Sequence, residues 1–209
     1  MIPRAAWRAF PWDAAAPLGE PFSASFIRPG QTSGRFDLHD RPPVLYLAES
    51  PDQAIGEMLQ GFRGRRIGPA HLVREGHPLA LAAVELDARL AGRVLDLTEP
   101  MTLARVELKP DALASHQRVV TQGVARRLHA AGEVGFRWWS ALTGAWHTIV
   151  LFSDRFEPAD LHWGDALPLA LDSPELLGAA KTPGDRSGVK PFARLGCELV
   201  RGWTPTTSL

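Results

Sequence analysis

The stretch "GRFDLHDRPPVLYLAESPDQAIGEML" (residues 34–59) contains the clearest local signals for a fold in this chain. Its apolar run "VLYLA" (44–48) is typical of a buried strand. Ser50 is a suitable helix N-cap, Pro51 fits the first turn and Gln53 completes a capping box, so a helix is predicted from here to about residue 62. The stretch therefore predicts a loop, a strand and a helix in direct succession.

Outside this stretch, strand-like and helix-like patterns are mixed without strict alternation. Strands are predicted at 6–10, 79–87, 93–97 and 147–152, a helix at 111–131, a long loop at 11–43 and a turn-rich linker at 181–188. This order favours an α+β fold over a doubly wound α/β sheet.

The composition excludes several classes of function. Lys and Arg number 23 and Asp and Glu also number 23 in 209 residues, which predicts no direct binding to nucleic acid or to an anionic membrane. Cys197 is the single cysteine, which excludes an internal disulfide framework and a cysteine-based zinc site. The histidines show no H-x-x-x-H or H-E-x-x-H spacing, so no metal is expected. No signal-peptide core and no run of ~20 apolar residues occurs, which predicts a soluble cytoplasmic protein.

Three residues of the opening stretch are candidates for a binding or catalytic site. Tyr46, the only tyrosine, lies midway between Arg35 and Glu57 and is either a core aromatic or a ring that stacks on a ligand while its hydroxyl forms a hydrogen bond. Arg35 is either an ordinary surface arginine or a planar donor for a pyrophosphate or carboxylate. Glu57 lies off the apolar face of its helix, as a solvated carboxylate would, but Gly56 and Gly61 beside it admit close approach by a ligand.

A second unusual stretch, "GFRWWS" (135–140), precedes the predicted strand at 147–152. Its tryptophans either pack in the core or form the wall of a pocket for a flat ring, with Ser140 inside that pocket. Ser140 lacks the Gly-x-Ser-x-Gly elbow of a hydrolase nucleophile. The glycine-containing "RPGQTSGRF" (28–36) is neither a Walker loop nor a dinucleotide-binding fingerprint, so the common nucleotide-binding folds are excluded.

Together, the stretch at 34–59 and the downstream "GFRWWSALTGAWHTIVLFSDR" (135–155) resemble the RES domain, a family named after its Arg, Glu and Ser. The resemblance runs from about Trp7 to Arg155. It implies an ADP-ribosyltransferase-like mixed sheet core with flanking helices, and it implies NAD as the substrate. RES proteins are the toxins of Xre–RES toxin–antitoxin pairs, so an Xre-type antitoxin is the implied partner.

By this resemblance Arg35, Glu57 and Ser140 are the catalytic residues, and Arg35, Tyr46, Trp138 and Ser140 bind NAD. Arg35 would clamp a phosphate or a ribose, Glu57 would face the ribose in the transition state, and Tyr46 and Trp138 would enclose the nicotinamide ring. The sequence departs from the family pattern in two places. The region "DAAAPLGEPF" (13–22) lacks the arginine that the family often has there, and Ala141 stands where an arginine commonly follows the serine.

The resemblance divides the chain into a RES-like catalytic domain at 1–172 and a C-terminal extension at 173–209. The reaction that it favours is phosphorolysis of NAD by inorganic phosphate (NAD phosphorylase activity), which gives nicotinamide and ADP-ribose phosphate. Mono-ADP-ribosylation of a protein is the alternative. Two other functions stay open: a non-catalytic NAD- or nucleotide-binding module would not need Glu57, and a protein-interaction domain would use an exposed apolar patch around the tryptophans.

Overall fold

The computed structural model describes residues 2–39 and 42–181, together with residues 194–195. In these residues the strands, β1 to β11 in chain order, are Ala5–Pro11, Val44–Ala48, Arg66–Ile67, Val73–Arg74, His77–Leu86, Leu95–Asp96, Gly135–Trp139, His147–Phe152, Leu161–Trp163, Leu167–Pro168 and Arg194–Leu195. The α-helices, α1 to α6, are Pro51–Met58, Ala88–Ala91, Pro100–Arg105, Pro110–Ala114, Arg118–Ala130 and Pro174–Lys181. Short 3-10 turns lie at Gln60–Phe62, Pro69–Leu72 and Pro158–Asp160.

One mixed sheet forms the centre of the molecule, with the strand order β10-β5-β1-β2-β8-β7-β6, and β4 and β9 also pair with β5. β6 runs parallel to β7, and the other pairs in this sheet are antiparallel. β2 is suited to the central position because its run of five residues offers an apolar or aromatic side chain to each face in alternation. This is the α+β architecture, a mixed sheet with flanking helices, that the sequence predicted.

Two groups of helices cover the face of the sheet to which Tyr46 points. α1 and α6 pack over β1 and β5 in one apolar cluster, which includes Ile55 and Leu176. α3, α4 and α5 pack over β7 and β8 in a second cluster, which includes Val124 and Phe152, and Tyr46 lies at its edge. The sheet is therefore left open between the two clusters.

The helix predicted at 111–131 is two helices. α4 ends at Ala114, Ser115 has an extended backbone (φ −56°, ψ 136°), and α5 begins at Arg118. The sequence pattern missed this break because the apolar positions before and after it fall on one helical face. The extended residues turn backbone carbonyl groups of the junction towards Arg35, which binds them.

Other predicted boundaries also differ from the structure. The strand predicted at 93–97 is limited to Leu95–Asp96, because the Asp96 carboxylate accepts the N–H of Thr98 and begins a turn there. α1 ends at Met58, and a 3-10 turn replaces the rest of the predicted helix.

The described residues after Asp172 include α6, which belongs to the first apolar cluster. Leu176 and Ala179 are 1% and 0% exposed there. A Cβ at Gly178 would lie 2.6 Å from Asp52 Oδ1 of α1, so the two helices pack closely. The predicted turn at 181–188 lies outside the described residues apart from Lys181.

Candidate active site

A cavity of about 420 Å³ lies where the two helical clusters leave the sheet uncovered. Its floor includes residues of β1, β2 and β8, and its walls include residues of the loop before β2, of α1 and of the start of α5. Arg35, Tyr46, Glu57 and Ser140, which the sequence singled out, all line it although they span more than half of the chain. Trp138 does not line it.

The hydroxyl of Tyr46 forms its hydrogen bonds with groups of the protein itself. It donates to Asp37 Oδ1 (2.7 Å) and accepts the backbone N–H of Phe36 (3.0 Å), while Asp37 Oδ2 accepts the N–H of Gly34 (2.6 Å). Gly34 has no room for a side chain, because a Cβ there would lie 2.8 Å from the Tyr46 hydroxyl and closer still to Asp37. Burial, and then the neighbouring Asp37 carboxylate, raise the pKa of Tyr46 well above its ordinary value. Tyr46 thus anchors the loop that carries Arg35, and its ring remains available to the cavity.

Arg35 is held from the opposite side by the junction of α4 and α5. Its Nη2 donates to the carbonyl oxygens of Leu113 (2.6 Å) and Ser115 (3.2 Å). The hydroxyl of Thr121 donates to the Arg35 carbonyl, and Nε2 of Gln122 donates to the carbonyl of Gly34 (3.0 Å). Burial lowers the pKa of Arg35, and the nearby Glu57 and Tyr46 oppose that shift. The guanidinium is therefore fixed in direction and close enough to Glu57 for their charges to interact.

Glu57 is a carboxylate placed in a largely desolvated position on the cavity wall. Burial raises its pKa, and a hydrogen bond from Ser140 and the charge of Arg35 partly offset that rise. The Ser140 hydroxyl donates to Glu57 Oε1 and accepts the N–H of Leu142 (3.0 Å), so its one proton is directed at the carboxylate. Neither a hydrolase base nor a second carboxylate accompanies them among the described lining residues.

The cavity is strongly cationic although the chain as a whole is neutral. Arg8, Arg35, Arg74 and Arg118 line it, and Glu57 is the one acidic residue among the described residues that do so. Arg8 lies on β1, donates to the carbonyl of Ala24 and forms no ion pair with any described carboxylate; burial lowers its pKa to about 10. A desolvated arginine beside a cavity without a carboxylate partner is suited to an anionic ligand. Arg8 was not among the residues predicted from the sequence, although its position as a lone charge inside the predicted strand "AWRAF" (6–10) was an available signal.

Two expectations about this region are wrong. Trp138 is 3% exposed and packs in the second apolar cluster, because its side chain points into the face covered by α5. Trp139, which is 37% exposed and lies against Trp138 with ring centroids 4.3 Å apart, lines the cavity instead. The space above Gly56 is filled by the indole of Trp146 and not left for a ligand.

The described residues contain no group of three or more His, Cys, Asp or Glu side chains that could hold a metal ion. Within the same residues, no helix has the length and apolarity needed to cross a membrane.

The RES domain family model matches residues 5–172, and the chain therefore belongs to the RES domain family. Among solved structures, a chain of the "Crystal structure of the M. tuberculosis MbcT-MbcA toxin-antitoxin complex" is similar, with a TM-score of 0.51 and 19% sequence identity. The similarity covers 80% of this chain and 84% of that chain, and at this identity it concerns the fold alone. No curated protein matches the sequence.

Proposed function

We propose that this RES-domain protein is a toxin that cleaves NAD at the bond between nicotinamide and ribose. The observation that carries the proposal is Glu57, a desolvated carboxylate that receives a hydrogen bond from Ser140, interacts with the charge of Arg35 and lies in a cavity whose other charged lining residues are all arginines. NAD has the complementary charges, since its diphosphate is anionic and its nicotinamide–ribose end becomes an oxocarbenium-like cation during cleavage.

Glu57 would stabilise the transition state by placing its negative charge against the ribose as the cation develops. In a desolvated site this charge acts more strongly than it would in water. The nicotinamide leaves as a neutral molecule when its ring nitrogen takes the electron pair of the broken bond. No general acid is needed for that step, which agrees with the single carboxylate of the described cavity lining.

The aromatic and cationic side chains would position the substrate. The ring of Tyr46 and the exposed ring of Trp139 offer faces on which the pyridinium can stack, with a gain of ~0.5–2 kcal/mol. Of the four arginines that line the cavity, Arg8 and Arg35 have guanidinium groups that donate to backbone carbonyls, so they would hold the diphosphate in one place. Arg8 would thus supply the cationic contact for which the region 13–22 has no arginine.

Inorganic phosphate is the acceptor that this lining favours. One phosphate oxygen would form the new bond to the anomeric carbon as the bond to nicotinamide breaks, giving ADP-ribose phosphate. The exposed side chains of Arg74 and Arg118, at the cavity wall, offer cationic groups for a second anion beside the diphosphate. Transfer of ADP-ribose to a protein side chain is the alternative reaction.

An antitoxin of the Xre type is the proposed partner, since unrestrained loss of NAD would harm the host. The similar solved structure is itself a toxin–antitoxin complex, which supports an antitoxin as the partner. The catalytic unit of this chain would include α6 as well as residues 1–172, because α6 completes the apolar cluster beneath α1.

The test is incubation of the purified protein with NAD, with and without inorganic phosphate, followed by mass analysis of the products. Glu57→Gln keeps the size of the side chain but removes its charge, and we expect turnover to fall by about 10²-fold or more, ~2.7 kcal/mol or above. NAD affinity should change much less, because the ribose carries no positive charge in the ground state. Glu99→Gln, which removes an exposed carboxylate outside the cavity lining, is the matched control and should behave as the parent protein does.

The products distinguish the candidate reactions. ADP-ribose phosphate that forms only with added phosphate supports phosphorolysis, while free ADP-ribose or a mass shift on a protein would favour hydrolysis or ADP-ribosylation. Calorimetric binding of NAD without any product would favour the non-catalytic binding module. If neither binding nor turnover occurs, the proposed function is wrong.

A further inference from the structure

The loop at 140–146 joins β7 to β8 and is closed at its base. Trp139 pairs with His147 in the sheet, and the N–H of Ser140 donates to the carbonyl of Trp146 (2.8 Å). Inside the loop the N–H of Trp146 donates to the carbonyl of Thr143 (3.2 Å). The first and last residues of the loop, Ser140 and Trp146, therefore move together.

These two loop residues contact consecutive residues of α1. Ser140 donates its hydroxyl proton to Glu57, and the six-membered ring of Trp146 lies on the backbone of Gly56. A Cβ at Gly56 would lie 2.8 Å from both Cζ3 and Cη2 of that ring, a distance that real Cβ contacts do not reach. Glycine is disfavoured inside a helix, so its presence in the eight-residue α1 is explained by the close approach of the indole.

We infer that Gly56 and Trp146 are positioning residues, which act by seating the loop on α1 so that the Ser140 hydroxyl is aimed at Glu57. The inference rests on the proposed function, in which Glu57 is the reacting carboxylate. The N–H of Leu142 donates to Ser140 Oγ and so ties this oxygen to the loop. A shift of the loop would therefore move the hydroxyl group away and break its hydrogen bond to Glu57.

The protonation of Glu57 reports directly on this arrangement. The Ser140 hydrogen bond lowers the pKa of Glu57 against the effect of burial, so losing that bond raises the pKa further. The charge of Arg35 also acts on Glu57 and is unchanged in the variants described below. The remaining ionisable groups that line the same cavity, from β1, β2, β4 and α5, are Arg8, Tyr46, Arg74 and Arg118.

The experiment compares the parent protein with Gly56→Ala, Ser140→Ala and the variant that carries both substitutions. The pKa of Glu57 is measured by ¹³C NMR of its carboxyl carbon, assigned by the loss of the signal in Glu57→Gln. We expect Gly56→Ala to raise this pKa in the same direction as Ser140→Ala, and the double variant to show no larger rise than Ser140→Ala alone. At neutral pH, kcat for NAD should fall by about 10- to 100-fold in Gly56→Ala with KM within a few-fold of the parent value. Gly123→Ala, in α5 where a Cβ meets no atom within 4 Å, is the matched control and should leave both values unchanged.

A compensating substitution covers the case in which Gly56→Ala folds poorly. Phenylalanine lacks the Cζ3 and Cη2 positions of the indole that would clash, so Gly56→Ala combined with Trp146→Phe has room for the new methyl group. We expect this pair to return the pKa of Glu57 and kcat towards the parent values, as coupled neighbouring sites do.

The inference is wrong if folded Gly56→Ala leaves the pKa of Glu57 unchanged. It is equally wrong if the shifts of Gly56→Ala and Ser140→Ala add in the double variant, since Gly56 would then act independently of Ser140. It also fails if Trp146→Phe restores neither the pKa nor kcat of Gly56→Ala. A parent protein that leaves NAD intact would refute the proposed function, while the pKa of Glu57 would still decide the positioning role.

Discussion

Replacing Tyr46 with phenylalanine removes one oxygen atom and keeps the aromatic ring that lines the cavity. That oxygen donates to Asp37, which is 3% exposed, and accepts the N–H of Phe36, which is 4% exposed. A hydrogen bond to a charged group contributes ~1.5–3 kcal/mol, and a buried N–H left without a partner costs ~1–3 kcal/mol. These effects overlap, so we expect the free energy of unfolding to fall by about 3 kcal/mol. For a chain of this length that corresponds to a decrease in Tm of about 6–12 °C.

The assay is denaturant unfolding of Tyr46→Phe and the parent protein, with calorimetric NAD binding on both. We expect a lower midpoint at an unchanged slope, which identifies a loss of stability and not a change in compactness. NAD binding should weaken as well, because the loop that orients Arg35 loses its anchor. Tyr46→Phe with parental stability and impaired binding would refute this reasoning and make the hydroxyl a ligand contact.

Three further predictions concern charge and packing around the cavity. Folding raises the pKa of Glu57, so the folded state binds the carboxyl proton more tightly than the unfolded state does, and the free energy of unfolding of the parent protein falls as pH rises towards the raised pKa. Glu57→Gln has no such proton, so its free energy of unfolding, measured across the acid range, should not show this decrease. Leu176→Ala should lower the free energy of unfolding by ~2–5 kcal/mol, and a near-neutral result would exclude α6 from the core. Trp138→Ala should lose ~3–5 kcal/mol of stability in thermal unfolding, whereas Trp139→Ala should mainly weaken NAD binding; equal loss of stability in both would contradict their assignment to core and cavity.

The parts of the fold that depend on local signals could be predicted from the sequence. β2 lies where its apolar run indicated, and α1 begins after Ser50, whose side chain accepts the N–H of Gln53 (3.2 Å) as an N-cap does. The same holds for β8 at His147–Phe152. These features are fixed by residues within a few positions of each other, so periodicity and capping rules identify them.

The features that depend on distant contacts could not be predicted in this way. The break between α4 and α5 follows from the carbonyl groups that bind Arg35, a partner about eighty residues earlier in the chain. The orientation of Trp138 and Trp139 depends on which face of β7 is covered by α5, and no pattern within "GFRWWS" contains that information. The role of the Tyr46 hydroxyl could not be predicted, because it depends on where Asp37 lies relative to β2.

The pairing of β2 with β8 also sets when the cavity can form during synthesis. Tyr46 lies opposite Val150, so the strand that supports one side of β2 is made about a hundred residues after it. Domains fold as units while the chain emerges, and pairings across such a separation close late. Until β8 has left the ribosome, the nascent chain contains Arg35, Tyr46 and Glu57 but lacks the part of the cavity floor that β8 provides. Ser140 is then not yet held in its position beside Glu57. The cavity therefore forms only after the ribosome has passed β8, long after it has made the residues of the loop, β2 and α1 that line it.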